Sequence, residues 1–297
     1  MNLITNLYSA LAQGTLWGIM ALGVYITFRI LDIADLSCDG TFALGGCVSA
    51  VFITRGVDPF LTLLIALAAG MAAGFVTGIL HTKLMIPAIL AGILTMIALW
   101  SINIRVMGGP NLSLLGEDTA FTIIIDHLGL NQTLATLVVG ILIGIVVIAV
   151  MYWFFGTEIG CALRATGNNE FMVRALGGNT DTSKVLGLVI SNGLISVSGA
   201  LVAQNQGYGD IKMGTGAIVI GLASIVIGEV IFGKRFNFAY ILASLIGGAI
   251  VYRMIISLVL HFGLSTDDMK LFTAIVVALA LGIPSIKAKY AQRRTPA

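Results

Sequence analysis

The stretch LGLNQTLATLVVGILIGIVVIAVMYWFFGT, residues 128–157, contains no Asp, Glu, Lys, Arg or His. A helix needs about 20 predominantly apolar residues to cross the hydrocarbon core of a bilayer, and this stretch is longer than that. A soluble helix of the same composition would have no polar face to turn toward water. The stretch therefore predicts a membrane-spanning helix and makes the chain an integral membrane protein.

Uncharged apolar stretches of this kind recur along the whole chain. The others are 3–28, 40–54, 59–80, 84–104, 185–209, 213–228, 236–266 (interrupted only by Arg253) and 271–286. They predict an all-α polytopic bundle of about nine transmembrane helices, with eight to ten as the range. Two of them, 40–54 and 213–228, are short for an ordinary span. We expect residues 1–297 to form one transmembrane domain.

The composition excludes several classes of protein. Hydrophobic residues make up 58% of the chain and charged residues 10%, with a mean hydropathy of +1.02, whereas a soluble domain carries about 25% charged residues. The net charge of +2 gives no basis for a nucleic-acid partner, and membrane lipid is the expected surrounding. The three cysteines have no metal-ligand spacing, and we predict no catalytic constellation, no cofactor site and no metal site.

The distribution of basic residues predicts the orientation in the membrane. Cytoplasmic loops carry an excess of Lys and Arg, and a cytoplasmic C-terminus places most of the 16 basic residues inside. The exceptions are Arg253, at membrane depth, and four residues that then lie outside: Arg55, Arg105, Lys212 and Lys270. The opposite orientation would reverse this bias, so we expect the C-terminus to be cytoplasmic.

The two short stretches resemble each other. DLSCDGTFALGGCVSAVF (35–52) aligns with DIKMGTGAIVIGLASIVI (210–227), with an aspartate first and shared Gly, Ser and Val positions. The first enters the membrane from the inside and the second from the outside. Paired short segments of opposite direction indicate an inverted repeat around a transport path. The predicted repeat halves are about 1–155 and 185–290, joined by a cytoplasmic loop at 156–184.

Ionisable and polar residues near the two short segments are the candidate translocation path. Charged groups at membrane depth are costly and face the bundle interior or a water-filled path. They could meet both charges of a zwitterionic solute, or they could pair with each other and cap helix ends; both interpretations stay open. The candidates are Asp35, Ser37, Asp39, Thr41, Asp210, Lys212 and Arg253.

The inner loop 156–184 predicts a short helix with exposed apolar residues. EFMVRALGG (170–178) carries apolar residues at helical i,i+4 spacing and ends in a glycine pair. Such a helix suits docking into the groove of a cytoplasmic partner. It could equally be an ordinary connection packed on its own bundle.

Several motifs give the chain a resemblance to a known family. IGCALRATGNNEFMVRALGGNTDTSK, SGALVAQNQGYGDIKMGTGAIVIGLASIVIGEVIFG and LIGGAIV, together with RILDIADLSCDGTFALGG, resemble permeases of the branched-chain amino acid type of bacterial ABC importer. Within that family, the chain is similar to a subgroup of permeases for aromatic amino acids, chiefly tryptophan. The connection GEVIFGKRFN departs from the glycine-rich family pattern.

This resemblance implies a permease in the bacterial inner membrane that moves a small solute inward. The implied partners are ATP-binding subunits, a second permease subunit (identical or different) and an external solute-binding protein. It also implies that a coupling helix seats on the ATP-binding subunit, formed by Asn168, Asn169, Glu170, Phe171, Met172, Val173, Arg174, Ala175 and Leu176. The chain has no GxxxxGK[ST] phosphate loop, so nucleotide hydrolysis is expected on a separate subunit.

Two other functions are weighed against this one. A self-contained secondary transporter driven by protons or sodium would need more buried carboxylates along one path. A membrane-embedded enzyme would need a clustered reactive site, and the three histidines, His81, His127 and His261, are scattered. We therefore expect a transport subunit that is not itself an enzyme.

Overall fold

The computed structural model describes residues 3–233, 237–261, 271–275, 277–278 and 282. Its α-helices are α1 Leu3–Tyr25 (continued by a π-helix, Ile26–Ile30), α2 Cys38–Ile53, α3 Pro59–Thr82, α4 Ala88–Met107, α5 Ala120–Leu128, α6 Gln132–Phe155, α7 Glu158–Asn168, α8 Glu170–Ala175, α9 Thr180–Gln206, α10 Ala217–Phe232 and α11 Phe238–His261. Two short strands, β1 Asn111–Ser113 and β2 Tyr208–Asp210, pair antiparallel. The all-α bundle is as predicted.

The helices differ in length in the way that the apolar stretches predict. Within the described residues, six helices are long and apolar enough to cross a membrane: α1 with its π-helical continuation, α3, α4, α6, α9 and α11. The short stretches form α2 and α10, of 16 residues each. Only half of the ninth predicted segment, 271–286, lies within the described residues, so the count of nine is not established.

Helix α9 lies at the centre of the bundle and is held there by hydrogen bonds to its neighbours. The Ser191 hydroxyl donates to the carbonyl of Gly23 on α1 at 2.8 Å, and the Ser196 hydroxyl donates to the carbonyl of Ala66 on α3 at 2.6 Å. The Gln204 amide donates to Ser49 and Thr62, on α2 and α3 (2.9 and 3.1 Å). Polar side chains inside the bundle thus serve as interhelical bonds.

Glycines let the helices approach α9 closely. A Cβ at Gly70 of α3 would lie 2.4 Å from the carbonyl oxygen of Asn192, and a Cβ at Gly199 of α9 would lie 1.9 Å from that of Phe42. Both distances are impossible for real atoms, so only glycine allows these backbones to touch. Gly74 and Gly78 of α3 face α9 in the same way: Cβ atoms there would lie 2.3 Å from the Leu188 carbonyl oxygen and 3.0 Å from the Val185 Cα.

The connections sort into two ends of the bundle. One end carries the β1–β2 pair and α5, and the other carries the π-helix at the end of α1 and the pair α7–α8. The connection between α4 and α6 contains both β1 and α5, two elements that the sequence patterns do not predict. Helices α2 and α10 each join the interior of the bundle to one of these ends.

Candidate functional site

The chain turns back into the bundle between α1 and α2. Asp32 has a φ of +55°, a left-handed conformation that Asp adopts more readily than most residues. The backbone N–H of Ile33 donates to the carbonyl of Thr27 at 2.9 Å, which closes the π-helical end of α1. Residues 33–37 then run without regular structure to the start of α2, and they deliver Asp35 to the interior.

Asp35 is held by a closed network of hydrogen bonds. One carboxyl oxygen accepts from the backbone N–H and the hydroxyl of Ser37 at 2.9 and 2.6 Å, and the other accepts from the amide of Asn192 on α9 at 2.8 Å. The Thr41 hydroxyl donates to the Ser37 carbonyl at 3.1 Å. All four residues are buried. This network begins helix α2 and ties it to α9.

Asp39 joins the two short helices. Its carboxyl oxygens accept from the backbone N–H groups of Gly216 and Ile218 at 2.8 and 2.9 Å, which are among the free N–H groups that begin α10. Gly216 has a φ of +83°, and a Cβ at Gly214 would lie 1.9 Å from the Asp39 carbonyl oxygen. The first turns of α2 and α10 therefore lie against each other inside the bundle, where a negative charge is favoured by both helix dipoles.

Asp210 and Lys212 lie on the segment that leads from β2 into α10. Asp210 pairs with Asn111 across the two-stranded sheet, and its carboxylate accepts from the backbone N–H of Lys212 at 2.7 Å. A cavity of about 220 Å³ opens here, and we call it the β2 cavity. Its lining includes Trp17, Gln206, Tyr208, Asp210, Lys212 and Met213.

Arg253 of α11 contacts the aromatic wall of this region. Its guanidinium carbon lies 4.2 Å from the ring centroid of Trp17, a cation–π distance, and the Trp17 ring packs 4.9 Å from that of Phe42. The Nε of Arg253 is buried and has no hydrogen-bond partner among the described residues. The candidate path residues thus form three groups: Asp35, Ser37 and Thr41; Asp39 alone; and Asp210, Lys212 and Arg253 around Trp17.

The opposite end of the bundle carries an ion pair that the sequence patterns do not predict. Arg29, at the end of α1, donates to the carboxylate of Glu229 in α10 at 2.5 Å. Beside it, Arg164 of α7 lies 5.4 Å from the ring centroid of Phe238, and a cavity of about 470 Å³ opens between these elements. The only signal in the sequence was the charged connection after α10, because the two partners are far apart along the chain.

The predicted docking helix is present in shorter form. Asn168 ends α7, and Asn169 caps α8 by accepting from the backbone N–H of Met172 at 3.0 Å. Phe171 is 83% exposed and Leu176 is 77% exposed. Met172, Arg174 and Ala175 are also exposed, whereas Val173 is buried. The helix therefore presents an apolar surface away from its own bundle; we call Phe171, Met172, Ala175 and Leu176 the α8 surface.

Glu170 fixes this short helix to the start of α9. Its carboxylate accepts from Lys184 at 2.7 Å and from Arg174 at 2.6 Å, and Thr180 lies 3.3 Å from it. The hydrogen bond from Lys184 lowers the pKa of Glu170 below its ordinary value. Burial opposes this shift, whereas the charges of Lys184 and Arg174 act with the hydrogen bond. The α8 surface is thus held in a defined orientation.

The described part of the chain contains neither a cluster of metal ligands nor a disulfide. Within it, no three His, Cys, Asp or Glu side chains gather closely enough to hold a metal ion. Cys38 and Cys47 are buried, Cys161 is exposed, and all three are free thiols. The polar groups that do gather are those of the α2–α10 contact, the β2 cavity and the inner end.

A bundle with polar groups at its centre and apolar helices around them has the organisation of a multi-pass membrane transport protein. Residues 6–283 match the family described as "Branched-chain amino acid transport system / permease component", and the chain belongs to that family. It is therefore a permease component of a transport system and not an enzyme.

Curated relatives cover nearly the whole chain. The tyrosine transport system permease protein of Clostridioides difficile (strain R20291) is 39% identical over 288 residues, which are 96% of this chain and 94% of that protein. The ribose import permease protein RbsC of Escherichia coli (strain K12) is 28% identical over 297 residues, with 96% and 87% covered.

A solved structure has a similar fold. PsaBC from Streptococcus pneumoniae, in complex with Fab, superposes with a TM-score of 0.50 at 16% identity, covering 94% of this chain and 91% of that chain. At this identity the likeness concerns the fold alone. It matches the arrangement of helices described above over nearly the full length.

Proposed function

We propose that this chain is the membrane permease of an ABC importer that moves an amino acid, preferentially an aromatic one, into a bacterial cell. The observation that carries the proposal is the 39% identity with a tyrosine transport system permease over nearly both full lengths. The ribose permease is less similar, at 28%. The apolar spans, with few charges at membrane depth, are consistent with a small and largely apolar solute.

The proposed path runs through the α2–α10 contact. Two half-length helices that begin inside the bundle, one from each end, recur in transporters at the solute site. The backbone N–H groups at the start of α10 are bonded to Asp39 of α2, so the path is closed there in this conformation. Opening requires α2 and α10 to separate at Asp39.

The proposed orientation keeps the cytoplasmic C-terminus that the distribution of basic residues predicts. With a cytoplasmic C-terminus, the β2 cavity opens to the outside of the inner membrane, where an external solute-binding protein would deliver solute. The α8 surface then faces the cytoplasm, where an ATP-binding subunit would dock. A second permease subunit, identical or different, completes the proposed assembly.

Uptake in cells tests the substrate and the energy source together. The permease is produced with its ATP-binding subunit and solute-binding protein in a bacterium that lacks aromatic amino acid uptake, and entry of labelled tyrosine and tryptophan is measured. We expect uptake that stops when the phosphate-loop lysine of the ATP-binding subunit is replaced. If the assembly takes up ribose and no amino acid, the proposed class of solute is wrong. Uptake that persists without the ATP-binding subunit would favour a secondary transporter driven by ions.

The docking role of α8 has its own test. A carboxylate placed on the α8 surface by Phe171→Asp or Leu176→Asp should reduce ATP-driven uptake at least tenfold, because an apolar contact is replaced by a buried unpaired charge. Exposed Leu115, which is 89% exposed and lies at the opposite end, provides the matched control, Leu115→Asp. A Phe171→Asp permease that still binds its ATP-binding subunit and transports normally would show that α8 does not dock it.

A further inference from the structure

Within the described part of the chain, the β2 cavity carries two opposite charges that have no ion-pair partner. Among the described residues, no cation lies within 4.0 Å of the Asp210 carboxylate, and no carboxylate lies within that distance of the Lys212 ammonium. The bond from the Lys212 backbone N–H to Asp210 fixes the turn that presents both side chains. Because Asp210 and Lys212 line the same cavity, their carboxylate and ammonium can meet the two charges of an α-amino acid.

The remaining lining of the β2 cavity is aromatic and apolar. Tyr208 is 41% exposed beside the mouth, and Trp17, 7% exposed, lies deeper, in the middle of α1. Met213 provides a thioether, which makes favourable contacts with aromatic rings. A volume of about 220 Å³ suits one small molecule. The wall therefore offers an aromatic side chain a place next to the two charges.

The cavity adjoins the α2–α10 contact. Met213 lies on the turn before α10, and a Cβ at Gly46 of α2 would lie 2.4 Å from its sulfur. Asp39 holds the start of α10 immediately after this turn. Arg253 fixes the Trp17 ring by a cation–π contact. A molecule in the cavity would touch the segment that must move for the two short helices to separate.

We propose that the β2 cavity is a binding site for a zwitterionic aromatic amino acid, with Lys212 on the ligand carboxylate, Asp210 on the ligand ammonium, and Trp17, Tyr208 and Met213 around its ring. The site rests on the proposed function. It adds that the permease itself selects solute after delivery by the binding protein.

Equilibrium dialysis of the purified permease in nanodiscs tests the site with three labelled probes. The probes are L-tyrosine, tyramine, which lacks the carboxylate, and 3-(4-hydroxyphenyl)propionate, which lacks the amine. Lys212→Gln should weaken binding of tyrosine and the propionate about tenfold or more while leaving tyramine unchanged. Asp210→Asn should weaken tyrosine and tyramine in the same way while leaving the propionate unchanged.

Matched variants separate the site from general effects. Arg55→Gln removes an exposed cation at the same end of the bundle but outside the cavity, and it should bind all three probes as the unaltered permease does. Tyr208→Ala should weaken tyrosine more than leucine, because only the aromatic ligand loses a ring contact. Lys212 is exposed, so its replacement should leave the melting temperature unchanged.

The outcomes distinguish the site from the proposed function. Absence of tyrosine binding to the isolated permease, together with ATP-dependent tyrosine uptake by the complete assembly, overturns the site and leaves the proposed function standing. Equal weakening of all three probes by Lys212→Gln and Asp210→Asn also overturns the site. Absence of any amino acid uptake by the complete assembly overturns the proposed function itself.

Discussion

Helices α6 and α9 show opposite relations between apolarity and burial. Of the six long described helices, α6 is the most apolar, yet only 33% of its most apolar stretch is buried, against 67% in the less apolar α9. Helix α1, the least apolar of the six, is the most buried, at 83%. In a soluble protein the most apolar helix would be the most buried.

The reversal follows from the solvent. Lipid is as apolar as leucine, so an apolar face gains nothing by leaving it, whereas hydroxyl and amide groups require partners inside the protein. Helix α9 carries such groups on several sides, and they bond to α1, α2 and α3. Hydroxyl and amide groups therefore mark the contacts of the central helix, and the most apolar helix lies at the perimeter of the bundle.

The largest expected effect comes from adding one carbon to the α9 contact. Gly199→Ala should cost about 3 kcal/mol, because the new Cβ meets backbone of α2 that cannot yield. In detergent, the melting temperature followed by tryptophan fluorescence should fall by about 10 °C. Gly144→Ala in α6 is the control, since its Cβ would meet only the end of the Ile246 side chain, at 3.2 Å. Equal melting temperatures for the two variants would contradict the comparison.

The next effect concerns the buried amide of α9. Asn192→Leu should destabilise the permease by about 2 kcal/mol, because the Asp35 carboxyl loses a buried hydrogen-bond donor. The same change in an Asp35→Asn background should cost clearly less. Thermal unfolding of the single and double variants measures this coupling. Additive losses would mean that Asn192 stabilises the bundle without acting through Asp35.

A smaller effect distinguishes buried from lipid-facing hydroxyls. Ser198→Ala removes the bond to the carbonyl of Leu16 on α1 and should cost about 0.6 kcal/mol, the average for such bonds between membrane helices. Ser101→Ala on α4, where the serine is exposed, should be neutral or slightly stabilising. Thermal unfolding of the two variants in the same detergent compares their losses of stability. A larger loss for Ser101→Ala would contradict the conclusion that this face of α4 lies at the perimeter.

The smallest expected effect concerns the ion pairs of Glu170, which lie beside the start of α9 where the chain is exposed to water. Because the folded-state pKa of Glu170 is lowered, its ion pairs stabilise the α8–α9 connection above the unfolded pKa of about 4.3 and lose this contribution as pH falls through the folded value. Glu170→Gln should therefore increase hydrogen exchange of α8 amides at pH 7, and this increase should shrink as pH falls through the folded-state pKa of Glu170. A difference between the two proteins that persists unchanged below that pKa would exclude this cause.

Local signals allowed accurate predictions from the sequence. A short helix, expected at 168–176, forms at Glu170–Ala175, because Asn169 supplies the N-cap and Gly177 takes the left-handed conformation with a φ of +83° after it. The docking role of this helix stays a prediction. The two short stretches form helices of 16 residues. Caps, glycines and runs of uncharged residues act within a few positions, so a single chain reveals them.

Contacts between residues far apart in the chain could not be predicted from such local signals. The sequence echo aligns Asp35 with Asp210, yet Asp35 lies in a buried network with Asn192 and Asp210 lies at the end of a strand. The aspartate that touches the start of α10 is Asp39. The equivalence of the two halves and the translocation role of these residues stay predictions, because the alignment of short segments does not specify which side chains meet.

Composition and residue order predict a helical membrane protein, because apolar runs of spanning length can be recognised in a single chain. The likeness to permeases rests on particular motifs and not on composition. The folded structure alone shows that α9 is central, that Asp39 joins α2 to α10 and that Arg29 pairs with Glu229. These contacts join residues far apart in the chain, and they depend on how closely glycine-bearing helices approach one another.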